Sequence, residues 1–256
     1  MTVTGQAQAT GHMKLAYRFI SPRYYIRHRA YRTLRRGEAA HEGELSLLPC
    51  IVPRDRMAID VGANRGTYTY FLSRLAACTI AYEPAPPMAL FLRQARLANV
   101  EVREAGVSNR AGKETFFIQH NERGQPQYNV GRLGGPKPDR TGIELAVKTE
   151  RLDDQGFADV GFIKIDVEGH EWEVIDGGRD LLARSRPNLI VEILEGRGDR
   201  NVVLKNRTVA LLGELGYQPY VFGRGALRPL RDAPLHANVI NYVFLPDNSV
   251  AADETE

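Results

Sequence analysis

The sequence predicts an α/β fold, a mostly parallel sheet with helices on both faces, preceded by a basic helical extension. Three observations carry this. From residue 57 onward, short β-branched runs alternate with longer helical ones, the pattern of strands joined by crossover helices. Two of the predicted strands end in tight turns that combine acids with glycine, around Asp60-Val61-Gly62 and around Asp166-Val167-Glu168-Gly169. And 256 residues, 43% hydrophobic and 25% charged, are enough for one sizeable core without a second domain.

The elements follow in order. Residues 1–48 form the extension. Lys14, Arg18, Arg23, Arg27, Arg29, Arg32, Arg35 and Arg36 lie there with no acid among them, so that in a chain of formal charge +3 everything else is acidic by five. Tyrosines, phenylalanine and isoleucine interleave with these arginines. That pattern suits a helix packed on the body, on a partner chain or on an anionic membrane surface.

Residues 49–246 form the body. The run 57–61 is apolar around one acid and reads as a buried strand. Residues 68–77 read as a helix, 79–82 as the second strand and 87–98 as the next helix, with Pro87 suited to a first turn. Residues 100–104 are the third strand. A turn at Ala111-Gly112 leads into a hairpin strand at 114–119. Residues 121–142 hold five glycines and three prolines, which predicts a mobile surface loop and a lid over a site. Strands at 145–149 and 161–167 follow, then a helix at 171–183, a strand at 188–194 and a helix at 201–215 closed by Gly216. Strands at 218–222 and 239–245 end the body. Residues 247–256 are an acidic tail, expected to be disordered.

Other classes are excluded or disfavoured. No apolar run approaches the roughly 18 residues of a membrane span, and residues 1–12 lack an apolar secretory core, so a cytoplasmic protein is expected. Cys50 and Cys78 are too few for a disulfide framework or a metal knuckle.

The chemistry begins at residues 58–67, Ala-Ile-Asp-Val-Gly-Ala-Asn-Arg-Gly-Thr, an apolar strand running through Asp60 into a glycine turn and a helix. Glycine there lets backbone approach a ligand, and the new helix offers free N–H groups. The dinucleotide fingerprint wants glycine where Asn64 stands, so a diphosphate is disfavoured. The spelling suits S-adenosylmethionine: Asp60 for its ammonium, turn amides for its carboxylate. Glu83, ending the second strand, is placed to accept both ribose hydroxyls. A turn-capping Asp60 and an exposed strand-end Glu83 are the plainer alternatives.

The second motif is residues 161–172, Gly-Phe-Ile-Lys-Ile-Asp-Val-Glu-Gly-His-Glu-Trp. Asp166 falls at the carboxyl end of its strand, the edge where open α/β sheets bind ligands. Glu168 and His170 crowd round Gly169, and a histidine among carboxylates is a candidate general base. Its alternative is a helix-start histidine bonded to a neighbour. Lys164 is expected to snorkel or form an ion pair. Glu192 also sits near a strand's carboxyl end, so if the two strands are neighbours Asp166 and Glu192 converge and could hold Mg²⁺ or a polyol.

With these residues in view, the sequence resembles the FkbM family of S-adenosylmethionine-dependent methyltransferases. The resemblance rests on Ile59 to Gly66, on Glu83-Pro84 and, most specifically, on Phe162 to Glu171; Leu152-Asp153-Asp154 and Pro187 to Glu192 match more softly. It covers about residues 50–245. It implies the class I, Rossmann-like methyltransferase fold, with a seven-stranded sheet and an antiparallel last strand near 239–245. It also implies O-methylation of a hydroxyl on a sugar, glycan or polyketide-type natural product. By that analogy Asp60, Gly62, Asn64 and Gly66 line the methionine end of the cofactor, Glu83 takes the ribose, and Glu104, Ala105 and Ser108 lie where adenine should sit. His170 or Glu168 is then the base, with Asp166 orienting the acceptor.

Rival readings stand beside this one. The basic arm suggests an RNA ribose methyltransferase, although no Asn/Asp-Pro-Pro-Tyr segment follows the fourth strand for base amino methylation. An NAD-linked oxidoreductase would also use Glu83, against the missing middle glycine. A non-catalytic partner would leave the polar cluster at 166–171 unexplained. Expected partners are a small-molecule or glycan hydroxyl acceptor, a second copy of the chain and, through the arm, the membrane surface.

Overall fold

The computed structural model describes residues 20–37, 42–135, 140–223, 225–233 and 239–247. Lys14, Arg18 and the acidic tail beyond Asp247 lie outside them.

The first described helix, α1 (Pro22–Arg36), starts where the sequence stops a chain and launches a helix. The Ser21 side chain caps it by accepting from the Tyr24 N–H (3.3 Å), Pro22 opens its first turn, and Arg35 and Arg36 sit at the negative end of its dipole. A 3₁₀ turn at Gly43–Leu47 and the short α2 (Leu48–Ile51) lead into the sheet.

The main sheet is built from β1 (Met57–Val61), β2 (Cys78–Tyr82), β3 (Val100–Arg103), β8 (Val160–Ile165), β9 (Asn188–Glu192), β10 (Tyr217–Gly223), β11 (Ala226–Pro229) and β12 (Asn241–Pro246). Their order is β11-β10-β12-β9-β8-β1-β2-β3. Strands β3, β2, β1, β8 and β9 run parallel, and β12 is antiparallel to both β9 and β10. The expected antiparallel last strand is therefore β12. The sheet has eight strands rather than seven, because the β10–β11 hairpin adds an edge.

Helices α3 (Thr67–Leu75) and α4 (Pro86–Ala95) cover one face with α1. Helices α5 (Glu171–Asp176), α6 (Arg179–Ser185), α7 (Arg200–Leu204) and α8 (Arg207–Glu214) cover the other. The period-2 alternation of each strand divides the core accordingly. Ala58, Phe162, Ile190 and Val243 pack with Tyr68 and Leu72 on the first side, whereas Ile59, Ile163, Leu189 and Phe244 pack with Val174, Leu181 and Leu212 on the second. Ile26 and Ala30 join α1 to Phe91 and Leu92 of α4 and Tyr70 of α3.

Between β3 and β8 the chain forms a second sheet, β4 (Gly106–Val107), β5 (Gly112–Gln119), β6 (Arg132–Leu133) and β7 (Gly142–Glu150), ordered β4-β7-β5-β6. Its long β5–β7 hairpin encloses the glycine- and proline-rich segment predicted as loop, which holds a 3₁₀ turn at Tyr128–Val130 as well as β6.

Two predicted helices are broken. Residues 171–183 divide at Gly177, where an added Cβ would stand 2.3 Å from the Ser108 carbonyl oxygen, so backbone passes against backbone there. Residues 201–215 divide at Asn206, whose side chain accepts from the Thr208 N–H (2.8 Å) and starts a new helix.

Candidate active site

The carboxyl ends of β1, β2 and β8 meet at one edge. Gly62 leaves β1 at φ +83, and a Cβ on it would lie 1.9 Å from the Asp166 carbonyl oxygen. Only glycine permits that approach. The Gly62 and Ala63 N–H groups both donate to the Tyr82 carbonyl (3.0 and 2.9 Å), and Asp166 N–H donates to Val61 (3.0 Å), which knits the three strand ends together.

Asn64, at φ +48, turns its N–H onto Glu83 Oε2 (2.7 Å), while Ala85 N–H donates to Oε1 (2.8 Å). Each oxygen of Glu83 thus has one backbone donor and a lone pair to spare. Burial pushes this carboxyl up to about 7, against the two amides that favour its charge.

A cleft open to solvent lies over this turn. Gly62, Asn64, Glu83, Ala105, Asp166 and Glu168 of the predicted residues line it. Phe116, Tyr128, Gly131 and Leu133 close it from the second sheet.

Four predicted residues point elsewhere. Asp60 is buried beneath the turn and accepts from Thr69 Oγ1 (2.5 Å), tying β1 to α3; burial pushes it up to about 6. Gly66 stands at φ +77 with Leu92 Cδ2 2.7 Å from where its Cβ would be and Ile26 Cδ1 at 3.2 Å, so helix packing accounts for it. Glu104 pairs with Arg93 at the surface (2.7 Å). Ser108 is buried, donating to Glu114 (3.1 Å) and standing 2.9 Å from His170 Nε2.

That last contact sets His170 back from the cleft lining, beside Ser108. Its Nε2 stands against the Ser108 hydroxyl, and its Nδ1 faces Glu173 at 3.7 Å. Neither nitrogen lies on the cleft wall. Burial pulls the imidazole's pKa down, against the pull of Glu173 and Glu114.

Strands β8 and β9 are neighbours, with Ile165 paired to Val191, so Asp166 and Glu192 do converge. Glu168 joins them, held at φ +56, and oxygens of all three carboxylates lie within 4.8 Å of one another. Burial, then repulsion by Asp166 and a hydrogen bond donated to it, push Glu192 up to about 9. Glu192 is therefore a neutral acid beside Asp166 at neutral pH.

Lys164 completes the group. Buried at 1% exposure, its ammonium donates to Asn241 Oδ1 (2.9 Å), stands 3.9 Å from Asp166 Oδ2, and lies 5.0 Å over the Tyr68 ring. Burial opposes its charge, but Asp166, Glu192, Glu42 and Glu44 together raise its pKa. Tyr68 in turn donates to Glu44 Oε1 (2.6 Å).

The sequence reading expected an ion pair at Lys164 but missed its other partners, Asn241, Tyr68 and Glu44, and the side chains of the second-sheet wall. Local sequence carries no signal for Phe116 or Leu133, because neither adjoins a motif.

Comparison with known proteins places these features in a family. The model described as the methyltransferase FkbM domain matches residues 60–219. The 2-O-methyltransferase NoeI of Sinorhizobium fredii is 26% identical over 148 residues, 52% of this chain and 61% of that protein, so this chain spans about three fifths of that relative. Methyltransferase sdnD of Sordaria araneosa is 26% identical over 200 residues, 65% of this chain and 75% of its own. Among solved structures, the methyltransferase FkbM from Methylobacillus flagellatus KT is similar with a TM-score of 0.45 at 14% identity, over 75% of this chain and 43% of that one.

Proposed function

Since the chain belongs to the FkbM methyltransferase family, we propose that it is an S-adenosylmethionine-dependent O-methyltransferase acting on a hydroxyl of a sugar, glycan or polyketide-type product. The observation that carries this reading is that Glu83, Asp166 and Glu168 share the wall of one cleft.

The residues fit the cofactor. Glu83 has one lone pair left on each oxygen for a vicinal diol, and Ala105, Val107, Phe116 and Leu133 offer apolar walls to a purine. The buried Tyr128 hydroxyl has no partner among the described residues, and burial keeps its phenol neutral, which suits a hydrogen bond to a ligand in the cleft. The bound cofactor supplies a methyl group already activated on a sulfonium.

The chain's part is then alignment and proton removal. Asp166 is fixed between Lys164 and the protonated Glu192, which suits it to orient an acceptor hydroxyl. Glu168, beside it on the strained turn, takes the proton. Asp166, Glu168 and Glu192 would hold a divalent cation only with all three ionised.

RNA fits the cleft poorly. Its described wall bears three carboxylates and no lysine or arginine, and a phosphate backbone is held by cations.

The test is an acceptor screen with radiolabelled S-adenosylmethionine over activated sugars, lipid-linked glycans, polyketides and RNA, run with Glu83→Gln and Glu168→Gln. The expected result is methyl transfer to a hydroxylated acceptor, weakened cofactor binding in Glu83→Gln, and turnover at least about 100-fold lower in Glu168→Gln with cofactor binding intact. Transfer to RNA alone, or full turnover in Glu168→Gln, would overturn it.

A further inference from the structure

Helix α1 has an inner face that the body covers and an outer face that it leaves bare. Ile26 and Ala30 are fully buried, and Arg29 turns inward to donate to Thr67 Oγ1 (3.1 Å). On the outside, Arg23, Arg27, Arg32, Arg35 and Arg36 are all exposed, the helix contains no acid, and none of the five is in an ion pair with a described residue. An unbalanced row of guanidinium groups repels itself unless anions lie against it.

Apolar groups stand in the same row. Tyr24 is 60% exposed, Tyr31 40% and Ile20 42%. Tyr24, Arg27, Tyr31 and Arg35 follow at intervals of three or four residues, which places them along one stripe. The sequence extends the basic run through Arg18 and Lys14.

We propose that this outer face of α1 docks on an anionic phospholipid bilayer, arginines on headgroup phosphates and Tyr24, Tyr31 and Ile20 at the depth of the interface. Ring geometry favours a bilayer over single-stranded RNA, which needs open aromatic faces for base stacking. Tyr24 already stacks on His28 (6.5 Å between centroids, 16° between planes), and Tyr31 is held edge-on by Tyr70 and Phe71 (5.8 and 5.9 Å). No described helix is long and apolar enough to cross a membrane, so the contact is peripheral.

The docked face also has a bearing on the cleft. The inner side of the same helix rests on the turn at its base: Ile26 lies against Gly66, and the Arg65 guanidinium reaches Tyr25 Oη at 3.5 Å. Docking would hold that turn at the membrane surface. The proposal does not rest on the identity of the reaction.

The experiment is cosedimentation of the full chain with vesicles of phosphatidylcholine alone and of phosphatidylcholine with 30% phosphatidylglycerol, across a salt series, beside a filter-retention assay on single-stranded RNA. Binding is expected to the anionic vesicles only and to fall at least tenfold between 50 and 300 mM salt. The triple variant Arg27→Gln/Arg32→Gln/Arg35→Gln should lose it at least tenfold, and Tyr24→Ser should weaken it severalfold. These side chains are exposed, so an unchanged melting temperature will show that the variants fold. Equal binding to neutral vesicles, no vesicle binding at 50 mM salt, undiminished binding by the folded triple variant, or retention of RNA without vesicle binding would each overturn the proposal.

Discussion

The Lys164 ammonium stands 3.9 Å from the Asp166 carboxylate, with 1% of the lysine exposed to solvent. A buried cation of this kind is tolerated only because acids surround it, and here they come from the ends of β8 and β9 and from the 3₁₀ turn at the end of the extension. The pair therefore connects the N-terminal segment, through Glu44 and Tyr68, to the cleft wall.

Removing that cation should have two effects. Lys164→Met leaves Asp166 without its cation, and because that carboxylate is 39% exposed the loss should fall below the about 3–5 kcal/mol of a fully buried pair. It should also push the Glu192 carboxyl, which Lys164 pulls down, higher still, moving the limb of the kcat profile near pH 9 upward. Thermal melts and a pH–rate profile check this. A melt that shifts while the limb stays in place would limit Lys164 to a structural role.

Two glycines of the same edge should respond in opposite degree. Both have positive φ, Gly62 at +83 and Gly169 at +100, so alanine costs roughly 1–2 kcal/mol at either from backbone strain. At Gly169 nothing lies within 4 Å of the new Cβ, and that is the whole cost. At Gly62 the Cβ meets the Asp166 carbonyl oxygen at 1.9 Å, and β1 or β8 must move. Urea unfolding should show Gly62→Ala less stable than Gly169→Ala by more than about 2 kcal/mol, a margin set by the overpacking penalty.

Much of this edge was legible in the sequence, and the reason is geometric. In a parallel sheet the residue that ends a buried strand lies on the ligand edge wherever the strand sits, so Glu83 and Asp166 could be placed from strand pattern alone. Glu192 reached Asp166 because β8 and β9 happen to be neighbours, a condition the sequence could state but not decide. The surroundings of His170 were not legible for the complementary reason. Its ring is captured by Ser108, 62 residues earlier in the chain, and nothing near His170 announces that contact. Glu104 and Gly66 were likewise claimed by partners from α4 and α1. Of the second sheet the two long strands were legible, but β4 and β6 escaped because they have two residues each and β6 lies within a segment rich in glycine and proline.

Buried carboxyls make stability depend on pH in a particular direction. Glu44 has its pKa pushed from 4.5 up to about 7, by burial first and then by Glu42. A group raised on folding binds its proton more tightly in the native state. Its contribution is complete below pH 4.5 and is lost as pH rises through 7. Glu44→Gln retains an acceptor for the Tyr68 hydroxyl but cannot titrate. The stability of the wild-type chain relative to this variant should fall between pH 4.5 and 8, by up to about 3 kcal/mol for a shift of this size. Denaturant titrations of both proteins at several pH values measure the difference. A constant difference would show that Glu44 does not change its affinity for protons on folding.

Glu192 separates the carboxylate reading of the site from a metal one. Its pKa, pushed up to about 9 by burial and by Asp166, makes it a neutral acid at working pH, and glutamine has nearly the shape of that acid. If Asp166 and Glu168 act as an orienting group and a base, Glu192→Gln should keep kcat within about threefold at pH 7, since a hydrogen bond to Asp166 is preserved and no charge is removed. Its activity should also lose the change that the wild type shows near pH 9. A chain treated with a chelator should keep its turnover for the same reason. A divalent cation held by Asp166, Glu168 and Glu192 would demand the ionised form of all three, because metal ligands must shed their protons before they bind. Glu192→Gln would then lose most of its activity at pH 7, chelation would reproduce that loss, and added Mg²⁺ would restore the chelated wild type but not the variant.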